Sequence, residues 1–177
     1  MTVDWQQLAQ ALGTITEHDS GRQEDGGTAA ARLALASILG PAVWRDAVDH
    51  YVAGRPGAEL SRSVLRMVRP AAAVERCLEL LNDKTGAVEA RRSAMELLRF
   101  IADGRSAHLV DELLQDEDPQ VQVWAACMVD QLVWDDALPE GEARRLVDLC
   151  ARHANEQVRE RAAFVASVTE DRRARDT

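Results

Sequence analysis

Lysine is almost missing from this chain: Lys84 is the only one, and the other twenty basic residues are arginines. Together with abundant alanine, this is the compositional bias of a GC-rich bacterial coding sequence and carries no functional signal. Aromatics are nearly as scarce, at 4% of 177 residues, with one Tyr and two Phe. Aromatic and β-branched residues fall short of the density that sheets require, which argues against a β-rich fold. No apolar run approaches the roughly 20 residues of a membrane span, and the start Met1-Thr2-Val3-Asp4-Trp5 lacks the charged and apolar regions of a secretory leader. The reading is a cytoplasmic protein with no membrane partner. Cys77, Cys127 and Cys150 are odd in number, widely spaced and set among apolar neighbours. They read as buried thiols in a reducing compartment, not as a disulfide framework.

The motifs that carry chemistry are also missing. There is no Gly-x-Ser-x-Gly, no P-loop and no dinucleotide fingerprint, and Gly26-Gly27 lies in the wrong context to cradle a phosphate. Cys150 and His153 are three apart and share a helix face, but a zinc site needs three or four ligands and no second pair is nearby. His18, His50 and His108 are isolated; His108 precedes Asp111 by three residues, a spacing that makes a solvated helical contact more readily than a triad. The sequence therefore assigns no catalytic residue, no metal site and no cofactor.

Helix formers dominate what remains. Hydrophobic residues make up 46% and charged residues 29%, a globular balance that supports one core without disulfides or metal. Val3, Trp5, Leu8, Leu12 and Ile15 fall near one helical face and predict a helix over 3–17. Residues 18–28 are polar and glycine-rich and predict a flexible loop. From Thr28 onward short helices alternate with Gly and Pro breaks. The pairs expected are 28–39 with 41–53, 58–69 with 70–82, 86–102 with 105–115, and 119–134 with 139–153. A last helix follows over 155–168, and a charged tail, expected to be disordered, over 169–177.

The first helices of these pairs align. Val121-x-x-x-Ala125-Ala126-x-x-Val129 matches Val158-x-x-x-Ala162-Ala163-x-x-Ala166, and Glu89-x-x-x-Ser93-Ala94-x-x-Leu97 and Leu60-x-x-x-Val64-Leu65-x-x-Val68 follow more loosely. A helix pair cannot bury its apolar face alone, so repetition at about this period implies stacking. Asp118-Pro119-Gln120-Val121-Gln122-Val123-Trp124-Ala125-Ala126 and Asn155-Glu156-Gln157-Val158-Arg159-Glu160-Arg161-Ala162-Ala163 resemble HEAT repeats, whose first helix opens Asp-Pro-x-Val-Arg-x-x-Ala-Ala. Val158-Arg159 keeps the family's Val-Arg pair and Val121-Gln122 loses its arginine. The resemblance is strong over 86–168 and weak over 28–82. It implies an all-α, right-handed α-α superhelix, a short solenoid of about four helix pairs with terminal helices, forming a single domain over 1–168.

Charge supplies the functional expectation. Between Asp103 and Asp148 there are twelve acidic residues against three basic ones, whereas Arg55 to Arg76 holds five arginines against Glu59 and Glu75. Such polarity favours steering of a charged partner. In HEAT-like stacks the second helices line the concave face, so the resemblance points to Glu75, Glu79, Asp111, Glu112, Gln115 and Asp148 as an acidic partner-binding face. Trp134, at a helix end before Asp135-Asp136, is a candidate anchor. Arg62, Arg66 and Arg69 form an opposing basic stripe at i, i+4, i+7, but few aromatics accompany it and the net charge of −9 opposes phosphate backbones. The expected function is a non-catalytic protein-interaction module for a basic protein, in an immunity (toxin-neutralising) or regulatory role. The resemblance also admits a HEAT-like DNA-repair enzyme or an accessory subunit similar to the bilin lyases.

Overall fold

A computed structural model describes residues 3–5 and 26–175 of the chain. Most of the helix expected over 3–17, the loop expected over 18–28 as far as Asp25, and the last two residues lie outside them. Among the described residues the chain is helical, with no strand. It divides into two compact units, Met1–Ile101 and Ala102–Thr177, so the residues expected to form one repeat domain are distributed over both.

The first unit holds α1 (Gly26–Val52), α2 (Ala58–Val68), α3 (Ala71–Asn82) and α4 (Val88–Ile101). The break expected at Gly40-Pro41 is present inside α1: Gly40 has φ 76° and ψ 165°, a conformation costly for any residue with a Cβ, and Pro41 restarts the helix. Trp44 is fully buried beyond this kink and reaches back across it, its indole N–H donating to the Ala36 carbonyl at 3.0 Å. α2 is stopped by Arg69, in the left-handed region at φ 47°, and by the extended Pro70. That reversal separates α2 from α3. The pair expected from 58–69 and 70–82 is replaced by packing of α1 on α2 and α3, and of α3 on α4.

Val64, Leu65, Cys77, Leu97, Leu98 and Ile101 are fully buried between these helices. Each of the aliphatic side chains among them contributes about 1.5–3 kcal/mol of hydrophobic stabilisation. Arg91 is also buried, and its Nε donates to the Leu81 carbonyl at 3.1 Å, satisfying an acceptor at the end of α3 that has no helical donor.

The second unit holds a 3-10 turn (Gly104–Leu109), α5 (Val110–Leu113), α6 (Pro119–Trp134), α7 (Glu140–Ala151) and α8 (Glu156–Arg175). The bounds of α6 are those expected from sequence. The helix expected over 105–115 is instead a 3-10 segment, entered through an Asp103 cap on Arg105 N–H at 2.9 Å, followed by a single α-turn. α8 runs on through the charged segment to Arg175, as its Glu, Arg and Ala content and lack of Gly or Pro allow.

Within this unit α6 packs on both α7 and α8. Two of the four aligned pairs share burial, Val121 with Val158 and Ala125 with Ala162, whereas Ala126 and Val129 are buried and their counterparts Ala163 and Ala166 are exposed and half-buried. The caps repeat as well, Asp118 accepting from Gln120 N–H at 2.9 Å and Asn155 from Gln157 N–H at 3.1 Å. Asn155 Nδ2 also donates to Gln122 Oε1 at 3.0 Å and to the Pro119 carbonyl at 3.3 Å, and further along Arg161 reaches Asp130 at 3.3 Å. Contacts that advance together on both helices mean that α6 and α8 run parallel. His153 fastens the turn before α8: Nε2 donates to the Leu114 carbonyl at 2.9 Å while Nδ1 accepts from Asn155 N–H at 3.0 Å.

Two predictions follow from this packing. A Cβ at Gly104 would lie 2.3 Å from the Ala137 carbonyl oxygen. Gly104→Ala should therefore cost about 1–3 kcal/mol of stability in denaturant melts, as overpacking does. His153→Ala removes one donor and leaves Asn155 N–H unsatisfied, an expected loss of about 1–3 kcal/mol, which His153→Asn should restore in part.

Candidate functional site

The residues expected to form the acidic face fall into both units, Glu75 and Glu79 in the first, Asp111, Glu112, Gln115, Asp148 and Trp134 in the second. Each group has its own surroundings.

On α3 Glu79 is the centre of an ion-pair network. Its carboxylate accepts from Arg45 at 2.8 and 2.5 Å and from Arg76 at 3.0 Å, and Arg76 also donates to Asp49 at 2.8 Å. The two guanidiniums hold the Glu79 carboxyl down to about 2, chiefly through the Arg45 hydrogen bonds. The links Arg45–Glu79 and Asp49–Arg76 tie α1 to α3 in antiparallel sense. Glu79 is thus committed within the chain, whereas Glu75, one turn earlier, is exposed and acts on Arg45 only through its field.

In the second unit α5 and α7 are bridged by Arg145, which donates to both oxygens of Asp111 at 3.0 and 2.9 Å and to Glu142 at 3.0 and 2.9 Å. Arg145 lowers both carboxyls, foremost by its hydrogen bonds to them. Asp111 is therefore an ionised carboxylate paired in place by Arg145. Glu112, Gln115 and Asp148 are exposed, and Glu112 and Asp148 enter no ion pair among the described residues. A shallow depression of about 250 Å³ beside them is lined by Arg145, Asp148, Leu149 and Arg152. Arg145, Asp148 and Leu149 lie on α7 and Arg152 is its C-cap, so one helix end lines an open groove and not an enclosed small-molecule cavity.

Trp134 closes α6 and is 53% exposed, whereas Trp44 is buried and Trp124 half-buried. The backbone after it is fixed: Gln131 donates to Asp135 at 2.8 Å, Asp136 takes φ 52°, and Ala137 N–H returns to the Leu132 carbonyl at 2.9 Å.

The basic stripe is largely engaged inside the first unit. Arg62 pairs with Glu59 at 2.5 Å and lies 5.0 Å from the centre of the Phe100 ring, with Arg99 4.1 Å from the same centre. Arg69 terminates α2 and its Nε donates to the Arg66 carbonyl at 3.3 Å, while Arg66 itself is exposed.

Other sequence candidates resolve into structural roles. The three cysteines are buried and free, and burial raises the thiols of Cys77 and Cys150, the latter to about 12. His153 makes the two bonds already described, and His108 Nδ1 lies 2.8 Å from the Arg105 carbonyl. Among the described residues no group of three or more His, Cys, Asp or Glu side chains is placed to hold a metal ion, and no helix is long and apolar enough to cross a membrane.

Sequence reasoning missed the organising arginines. The Glu142–Arg145 spacing of three was readable as a helical pair, but the Asp111–Arg145 and Arg45–Glu79 links join residues 34 apart and leave no local signal. Compared with family models, curated proteins and solved structures, the chain has no significant match to any of them.

The depressed Glu79 carboxyl gives a pH prediction. A carboxylate held low in the folded state stabilises above its unfolded value of about 4.5, and that stabilisation is lost as pH falls towards about 2. Melting temperature should fall across this window in the wild-type chain, and Glu79→Gln should flatten that part of the profile. Thermal melts from pH 2 to 6, at low salt, read both.

Proposed function

We propose that this chain is a non-catalytic interaction module that binds a basic protein through the exposed carboxylates of its second unit, as a regulatory or neutralising partner. One observation carries the reading. Of the formal net charge of −9, the second unit has seventeen acidic against nine basic residues, or −8, and the first has thirteen against twelve, or −1. A field of one sign concentrated on one compact body accelerates encounter with an oppositely charged protein and discourages phosphate backbones.

Glu112 and Asp148 are the side chains best suited to meet the partner, because they are exposed and unclaimed by Arg145. Asp111 and Glu79 are better read as parts of the framework. The HEAT-like solenoid belongs to the same proposal. It is supported by the parallel stacking of α6 and α8, their matching caps and their shared buried Val and Ala positions. The nucleic-acid alternative has in its favour the pairing of Arg62 and Arg99 with Phe100, and against it the engagement of Arg62 by Glu59.

Glu112→Lys with Asp148→Lys moves the unit's formal charge from −8 to −4 without touching the Arg145 bridge. Recovery of a basic partner from native lysate at physiological salt should fall about fivefold or more, since exposed charges act mainly on association. Unchanged recovery, or retention of the wild-type chain on duplex DNA at that salt, would overturn the reading.

A further inference from the structure

We infer that the outward side of α8 receives a helix of the basic partner, one whose apolar seam is flanked by arginine or lysine; the inference rests on the proposed function. α6 shows what such a side holds when it is covered. Gln122 and Asp130 both touch α8, and Ala126 lies between them, four residues from each and so on the same side of the helix. α8 packs along that side, and Ala126 is buried. The aligned residues of α8 are Arg159, Ala163 and Ser167, and all three are exposed. Beside them Phe164 is 51% exposed although Arg161 stands 5.6 Å from its ring centre, whereas its counterpart Cys127 is buried. α8 thus repeats the stacking side of α6 with nothing laid on it among the described residues.

The occupant follows from the chemistry of that side. Small side chains at Ala163 and Ser167 let another helix come close, as Ala126 lets α8 come close to α6, and Phe164 offers an apolar anchor at the margin. The available charge is acidic. Glu156 and Glu160 are exposed and enter no ion pair among the described residues, while Arg159 is turned back onto the His153 and Ala154 carbonyls at 2.8 and 2.7 Å. A second copy of the chain fits poorly, because two such faces would bring like carboxylates together on units of formal charge −8 each. A helix with cations beside its apolar seam meets the bare apolar strip and the carboxylates at once.

The test titrates into the full chain a peptide of about 18 residues, roughly five helical turns, with leucine and alanine on one side and arginine on the other. A control peptide has the same composition in scrambled order, and calorimetry reads both affinities. The amphipathic peptide should bind about threefold more tightly than the control, or better. Ala163→Arg and Phe164→Ser should each weaken it about fivefold or more, and Glu156→Gln with Glu160→Gln about twofold to fivefold at low salt. These side chains are exposed, so the variants should keep the wild-type circular dichroism and melting temperature. Binding of neither peptide, equal affinity for the two, or affinity unchanged by the substitutions at 163 and 164 would overturn this inference. None of these outcomes touches the proposed function, which stands or falls on charge at Glu112 and Asp148. Self-association of the wild-type chain that Ala163→Arg abolishes, read by sedimentation, would give the face to a second copy and overturn the inference as well.

Discussion

The parallel packing of α6 on α8 is the contact on which the second unit depends. Neither helix can bury its own apolar stripe, and Val121, Ala125, Val158 and Ala162 are buried because the helices supply each other's missing wall. Small residues at the centre let the backbones approach, and the polar ends are then close enough for Asn155 to reach both Gln122 and Pro119. His153 and Asn155 spend nearly all their hydrogen-bonding capacity on this junction. The start of α8 is only partly buried, so each of these bonds contributes about 0.5–1.5 kcal/mol and chiefly fixes the geometry of the junction.

Arginine settles which of the many carboxylates face outward unclaimed. Arg145 consumes Asp111 and Glu142, Arg45 and Arg76 together consume Glu79, and Arg62 takes Glu59. Such exposed pairs contribute little stability individually, about 0–1 kcal/mol. Their larger effect is on recognition: a carboxylate already bridged to a guanidinium presents a muted charge to a visitor. The face that looks uniformly acidic in sequence is therefore a patchwork in which Arg145 pairs the Asp111 charge and leaves those of Glu112 and Asp148 unclaimed.

Punctuation was the most legible part of the fold. Gly40-Pro41, Pro70, Pro119 and Pro139 act through the local backbone, so each break could be placed from its own neighbourhood, and α6 has the expected ends. Pairing was less legible. Arg69 adopts a left-handed conformation that nothing in an arginine announces, and it turns α2 away from the helix that follows it. The 3-10 winding after Gly104 was not legible, and the Ala137 carbonyl that crowds this glycine comes from a distant loop and leaves no local signal. The candidate site was legible in its charge and in Trp134, and illegible in its salt bridges, whose partners are separated by 34 residues at Asp111–Arg145 and 31 at Asp130–Arg161.

The outward charge of the second unit is not an accident of side-chain placement, because the count alone forces it. Nine basic residues cannot neutralise seventeen carboxylates one for one, and Arg145 spends itself on two. At least eight negative charges must therefore remain in surplus however the side chains rearrange. Like charges on so small a body repel one another and oppose compactness, within a screening length of about 8–10 Å at physiological salt. The folded unit tolerates that repulsion where a hydrophobic stack such as α6 on α8 offsets it, and a cationic partner would relieve it. Binding and folding then draw on the same electrostatic free energy, so a basic protein that fits this surface should also stabilise it.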